Sequence, residues 1–175
     1  MTQANRLTSL LIAAATAASL MPSLPAFAGA KDIELLQSYA GDWRGRGTFE
    51  ANGTTETVVC KLAATFTQGT KLQYDGRCTV AGGNMAIHGT MAYVAANNRY
   101  EALMSSNTQF TGQAIGKRRG DNIDFRLRQI DPDSGQTVDI DVVFALSNGK
   151  MQVDFTITDI ASGNKNVAHV PFEKS

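Results

Sequence analysis

From residue 41 onward apolar and polar side chains alternate, and the alternation is broken at short intervals by glycine and asparagine. Period-two alternation belongs to strands with one buried face. It predicts strands over 42–50, 55–66, 71–81, 84–95, 98–106, 110–118, 122–130, 137–147, 150–158 and 166–172. Turn residues stand between them: Asn52-Gly53, Gln68-Gly69, Gly82-Gly83, Asn97-Asn98, Asn107, Gly120-Asp121, the run Asp131-Pro132-Asp133-Ser134-Gly135, Asn148-Gly149 and Ser162-Gly163. Connections this short join neighbours, so the chain meanders antiparallel. Lys31 to Tyr39 lacks the alternation and reads as a short helical lead-in.

A two-residue turn also fixes register, and register fixes which side chains share a face. About Asn148-Gly149, Leu146 meets Met151, Phe144 meets Val153, Val142 meets Phe155 and Ile140 meets Ile157, all apolar. About Gly82-Gly83 the expected pairs are Val80 with Met85, Cys78 with Ile87, Gly76 with Gly89, Tyr74 with Met91 and Leu72 with Tyr93. Asn52-Gly53 sets Gly47 against Val58, Gly45 against Cys60 and Trp43 against Leu62. The hairpin over Gly69 then sets Cys60 against Cys78, within disulfide reach on the inner face. The hairpin over Asp133-Ser134 tests the outer face: with Phe125 against Val142 and Leu127 against Ile140 inside, Arg126 meets Asp141 and Arg128 meets Asp139 outside. These four charges argue for register rather than for chemistry.

The first 28 residues differ in kind. Arg6 supplies a positive start, Leu7 to Leu20 is apolar apart from small hydroxyl residues, and Ala26-Phe27-Ala28 presents small residues where a signal peptidase reads. Residues 1–28 are therefore expected to be a signal peptide and 29–175 a single β-barrel domain, periplasmic or secreted, with no membrane anchor after cleavage. Thr16, Ser19, Pro22 and Pro25 interrupt the apolar run, which argues against a permanent span. Export also makes a disulfide the default state of the two cysteines, Cys60 and Cys78.

Charge excludes some partners. Sixteen basic residues balance sixteen acidic ones and are scattered along the chain, so neither a nucleic-acid footprint nor an anionic-membrane patch is visible in the sequence. Lys117-Arg118-Arg119, the one basic run, falls at a hairpin tip and reads as a solvated turn. No paired carboxylates, serine–histidine–acid set or phosphate loop falls on one face, so no catalytic residue, metal site or cofactor is expected and the protein is read as a non-enzyme.

About ten strands with one apolar face must close or sandwich, and a meander without parallel crossovers favours an all-β, antiparallel up-and-down barrel. At its start, Gly41-Asp42-Trp43-Arg44-Gly45-Arg46-Gly47 resembles the Gly-x-Trp opening of the calycin group. That group comprises lipocalins, fatty-acid-binding proteins and nitrobindin-like haem barrels, and the longer Gly-x-Trp-x-Gly-x-Gly form looks most like the last. The resemblance implies an interior that binds an apolar small molecule. The lining expected from register comprises Trp43, Tyr74, Tyr93, Tyr100, Met91, Met104, Phe125, Phe144 and Phe155, with inward glycines and alanines leaving space between them. The competing reading is that these residues are simply core, with glycines at bulges and corners.

A haem barrel would need a proximal histidine. His88 is expected opposite Arg77 and His169 opposite Thr156, both on the outer face, which argues against interior haem. Two functions of different class remain: an extracytoplasmic carrier or sensor of an apolar small molecule, and a secreted interaction protein, such as a protease inhibitor or envelope partner, acting through its outer face or loops. A continuous, ligand-sized void favours the first; a filled barrel with an exposed apolar patch favours the second.

Overall fold

The structure, a computed structural model, describes residues 29–175 except 68, 81, 108–110 and 132–133. The expected leader lies outside the described residues. A helix α1 (Ala30–Ser38) leads into β1 (Gly41–Ala51), β2 (Thr54–Thr67), β3 (Lys71–Val80), β4 (Gly83–Val94), β5 (Arg99–Ser106), β6 (Thr111–Arg119), β7 (Asn122–Ile130), β8 (Thr137–Ser147), β9 (Lys150–Asp159) and β10 (Lys165–Lys174). Every strand pairs with its sequence neighbours, and β10 returns to β1 to close an antiparallel barrel. Closure leaves no strand edge unpaired. All the predicted strands form, with ends displaced by at most two residues, and α1 starts and stops one residue early.

Turn chemistry explains where register was readable. Asn52-Gly53 and Asn148-Gly149 take positive φ at both positions, 51° and 75° in the first and 52° and 74° in the second, as a two-residue hairpin turn of matching twist requires. The β1–β2, β2–β3, β7–β8 and β8–β9 pairings are all as expected. Arg126–Asp141 and Arg128–Asp139 form ion pairs at 2.7 and 2.6 Å on the outer face. Cys60 and Cys78 form a disulfide between directly opposed residues of β2 and β3, buried on the inner face. Closing a loop of 18 residues, it stabilises by about 3 kcal/mol in the chain-entropy view.

Two registers are corrected, each by two residues. Gly83 already pairs with Val80, so the β3–β4 turn sits one position earlier than expected, with Gly82 at φ 73°. Cys78 consequently meets Met85, Gly76 meets Ile87, Tyr74 meets Gly89 and Leu72 meets Met91, and His88 meets Asp75 rather than Arg77. In the β9–β10 loop the Asp159 carboxylate accepts from the Ser162 N–H and hydroxyl, and Asp159 N–H donates to Asn164. That side-chain-built turn is longer than a two-residue hairpin. His169 therefore meets Asp154 rather than Thr156. A shift of two keeps every side chain on its expected face.

The seam between β1 and β10 accounts for the glycines of the opening motif. A Cβ at Gly47 would overlap the His169 carbonyl oxygen, and one at Gly45 would lie 2.7 Å from Val170 Cγ1 and 2.8 Å from Phe172 Cδ1. The two strands approach this closely only without side chains there.

Candidate functional site

The inner face divides into two regions. Beneath α1, Leu35 and Leu36 bury against the barrel mouth with Tyr39, Trp43, Tyr93 and Tyr100. Each of these aromatics also satisfies its polar tip. Trp43, 1% exposed, donates from Nε1 to the Tyr39 carbonyl at 2.9 Å. The Tyr39 hydroxyl lies 3.0 Å from the Phe144 carbonyl and 3.2 Å from that of Asp121. Tyr100 donates to the Asp32 carboxylate at 2.8 Å, and Tyr93 donates to Asn98 Oδ1 at 2.7 Å while its ring packs edge-on against Tyr100. Arg118 fastens the helix from outside, donating to the Lys31 carbonyl at 3.0 Å. Burial pushes Tyr39 and Tyr100 well above the usual phenol range, and the bond to Asp32 adds to the effect at Tyr100.

The second region lies between β3 and β8. Here Tyr74, Met91, Ala102, Met104, Gly112, Ala114, Phe125, Leu127, Ile140, Val142 and Phe144 surround a cavity of about 50 Å³. Its wall is apolar except for one group, the Tyr74 hydroxyl. Tyr74 is 7% exposed, and its hydroxyl has no hydrogen-bond partner among the described residues. Burial alone pushes its pKa up to about 12.

Of the nine residues expected to line a site, the cavity therefore gathers Tyr74, Met91, Met104, Phe125 and Phe144. Trp43, Tyr93 and Tyr100 instead plug the helix-covered end. Phe155, paired with Val142, stands half-buried outside the cavity. Gly112 and Ala114 on β6 were not anticipated, although the Gly120-Asp121 turn sets Gly116 against Phe125 and so places both on the inner face.

Inward glycines do not leave the space that was expected of them; they seat a large residue from the neighbouring strand. The Tyr74 ring lies over Gly89, Ile87 over Gly76 and Phe125 over Gly116, so that a Cβ at any of the three would collide. The open volume adjoins Ala102, Gly112 and Ala114. At about 50 Å³ it is far below the 300–1,000 Å³ of a drug-sized pocket.

Neither histidine reaches this interior. His88 is exposed on β4 and paired with Asp75, and His169 is exposed on β10 beside Asp154 and Gln152. The residues present therefore do not fit an interior haem. Among the described residues, no three metal-type ligands come together.

No protein-family model and no curated protein matches the sequence. The fold has solved counterparts. The crystal structure of Rv2717c from M. tuberculosis superposes with a TM-score of 0.66 at 13% identity, covering 83% of this chain and 98% of that one. The S-type phycobiliprotein lyase CpeS from Guillardia theta superposes with a TM-score of 0.53 at 10% identity, covering 81% of this chain and 91% of that one. At such identities the likeness shows the fold alone, a calycin-like ten-stranded antiparallel barrel.

Proposed function

We propose that this is an exported binding protein, not an enzyme, which admits a slender apolar molecule between β3 and β8 and bonds its one polar group to the Tyr74 hydroxyl. The observation that carries this reading is Tyr74, which lines an apolar cavity and whose hydroxyl has no partner among the described residues. A hydroxyl on an apolar wall without a protein partner gains a hydrogen bond when a ligand supplies one. The cavity takes only a small group in its present shape. Met91 and Met104 on its wall have three rotatable bonds each, so an apolar chain can widen it by moving thioethers rather than strands. Use of this barrel by a phycobiliprotein lyase is compatible with a small-molecule role. The signal-like leader and the buried disulfide favour an oxidising compartment, periplasmic or extracellular.

Two measurements test the two halves of the proposal. N-terminal sequencing of the accumulated protein should begin at Gly29; a chain retaining Met1 contradicts export by leader cleavage. Organic extraction and mass spectrometry of natively purified protein should release an apolar molecule bearing one polar group. Ala114→Leu, which fills the cavity from β6, should release none. An empty wild type, or the same load in the variant, contradicts the binding site.

A further inference from the structure

The outer wall treats charge differently on its two sides. On β7 and β8 the register sets Arg126 against Asp141 and Arg128 against Asp139. On β1, β2 and β3 it does the reverse: Arg44 faces Lys61 and Lys61 faces Arg77, a row of three cations on three adjacent strands. Arg46 follows Arg44 on the same face of β1, opposite Val59. All four cations are exposed, and none has an ion-pair partner among the described residues. The nearby acids are otherwise engaged: Glu173, opposite Arg44, bonds Lys150 at 2.7 Å, and Asp75, two residues before Arg77, pairs with His88. Asp42, two residues before Arg44, is the remaining carboxylate beside the row.

Like charges directly opposite one another destabilise a sheet, and neighbouring strands lie about 4.8 Å apart, well inside the screening length of physiological salt. The row therefore concentrates positive potential at a cost to folding. Beside it sits Val59, 42% exposed, next to Arg46 across the strands and two residues from Lys61. A soluble polyanion answers the charges and leaves that aliphatic side chain in water. An anionic membrane answers both, with headgroup phosphates at the cations and the acyl boundary at the valine. We infer that the outer face of β1–β3 docks on an anionic lipid surface through Arg44, Arg46, Lys61 and Arg77, with Val59 at the contact.

The purified protein should cosediment at low salt with vesicles of phosphatidylglycerol and phosphatidylcholine, and not with vesicles of phosphatidylcholine alone. Raising salt to about 0.5 M should release it. Lys61→Ala should lower the partition coefficient roughly fivefold and Lys61→Ala with Arg77→Ala roughly 25-fold. Lys117→Ala, on exposed β6 across the barrel, should leave it unchanged. Lys61→Glu places an acid between Arg44 and Arg77; it should abolish binding while raising the melting temperature by about 1 to 4 °C, so that lost binding is not lost folding. Absence of binding to the anionic vesicles, equal binding to neutral ones, an equal loss in Lys117→Ala, or a double variant that binds as wild type does would each overturn the inference. So would capture by DNA or a sulfated polysaccharide without capture by vesicles, which would assign the row to a soluble polyanion.

Discussion

The helix-covered end of the barrel and the space between β3 and β8 are lined by similar side chains and differ in how those side chains end. Under α1, the Trp43 indole, the Tyr39 and Tyr100 hydroxyls and the Tyr93 hydroxyl all have partners. Between β3 and β8, the Tyr74 hydroxyl has none among the described residues, and Tyr74 lines the cavity. The same residue type thus serves stability in one half of the interior and is left unspent in the other. Aromatic content alone does not single out a candidate binding site; a polar tip without a protein partner on an apolar wall does.

The comparison is broken most severely at Trp43. Trp43→Ala removes the largest buried side chain of the helix-covered end and should destabilise by about 3 to 5 kcal/mol in denaturant titration, while leaving the β3–β8 cavity and its ligand preference in place. Tyr100→Phe should cost about 1 kcal/mol, because it deletes the donor to Asp32 and leaves that carboxylate oxygen short of a partner. Tyr74→Phe should be smallest, within about 0.5 kcal/mol of wild type, since no bond is lost with the hydroxyl.

Alkali sharpens the same contrast. With its folded pKa near 12 and an unfolded value of 10.0, Tyr74 keeps its proton in the native state after the unfolded chain has lost it. Its contribution is complete below pH 10 and is lost as pH rises toward 12. Wild type should lose stability over that window, and Tyr74→Phe should lose less of it, as read from unfolding midpoints at stepped pH.

Most of the fold was legible because asparagine–glycine turns fix register without help from the rest of the chain. Asn52-Gly53 and Asn148-Gly149 set their hairpins correctly, whereas the Gly82 and Ser162 loops each misled by two residues, one through a glycine that belongs to the strand and one through the Asp159 side chain. Faces survived both errors, because side-chain direction repeats every two residues. The cavity was half legible. Tyr74, Phe125 and Phe144 followed from register, but Gly76 and Gly89 read as space when Ile87 fills the first and the Tyr74 ring the second. That outcome depends on which residue stands across the strand and not on the glycine itself. The cationic row was hidden for a different reason: Arg44, Lys61 and Arg77 are far apart in the chain and meet only when two hairpins are combined.

The central claim, that the cavity around Tyr74 is a binding site, is tested most directly by methyl NMR of protein labelled at methionine and titrated with apolar alcohols, ketones and carboxylic acids of graded chain length. The account predicts that a subset of these moves the Met91 and Met104 methyl signals saturably, and that Tyr74→Phe weakens their binding by roughly tenfold while folding is unchanged, the equivalent of about one hydrogen bond. If no compound moves those methyl signals, or if binding is indifferent to the Tyr74 hydroxyl, the cavity is only a packing gap and the claim is wrong.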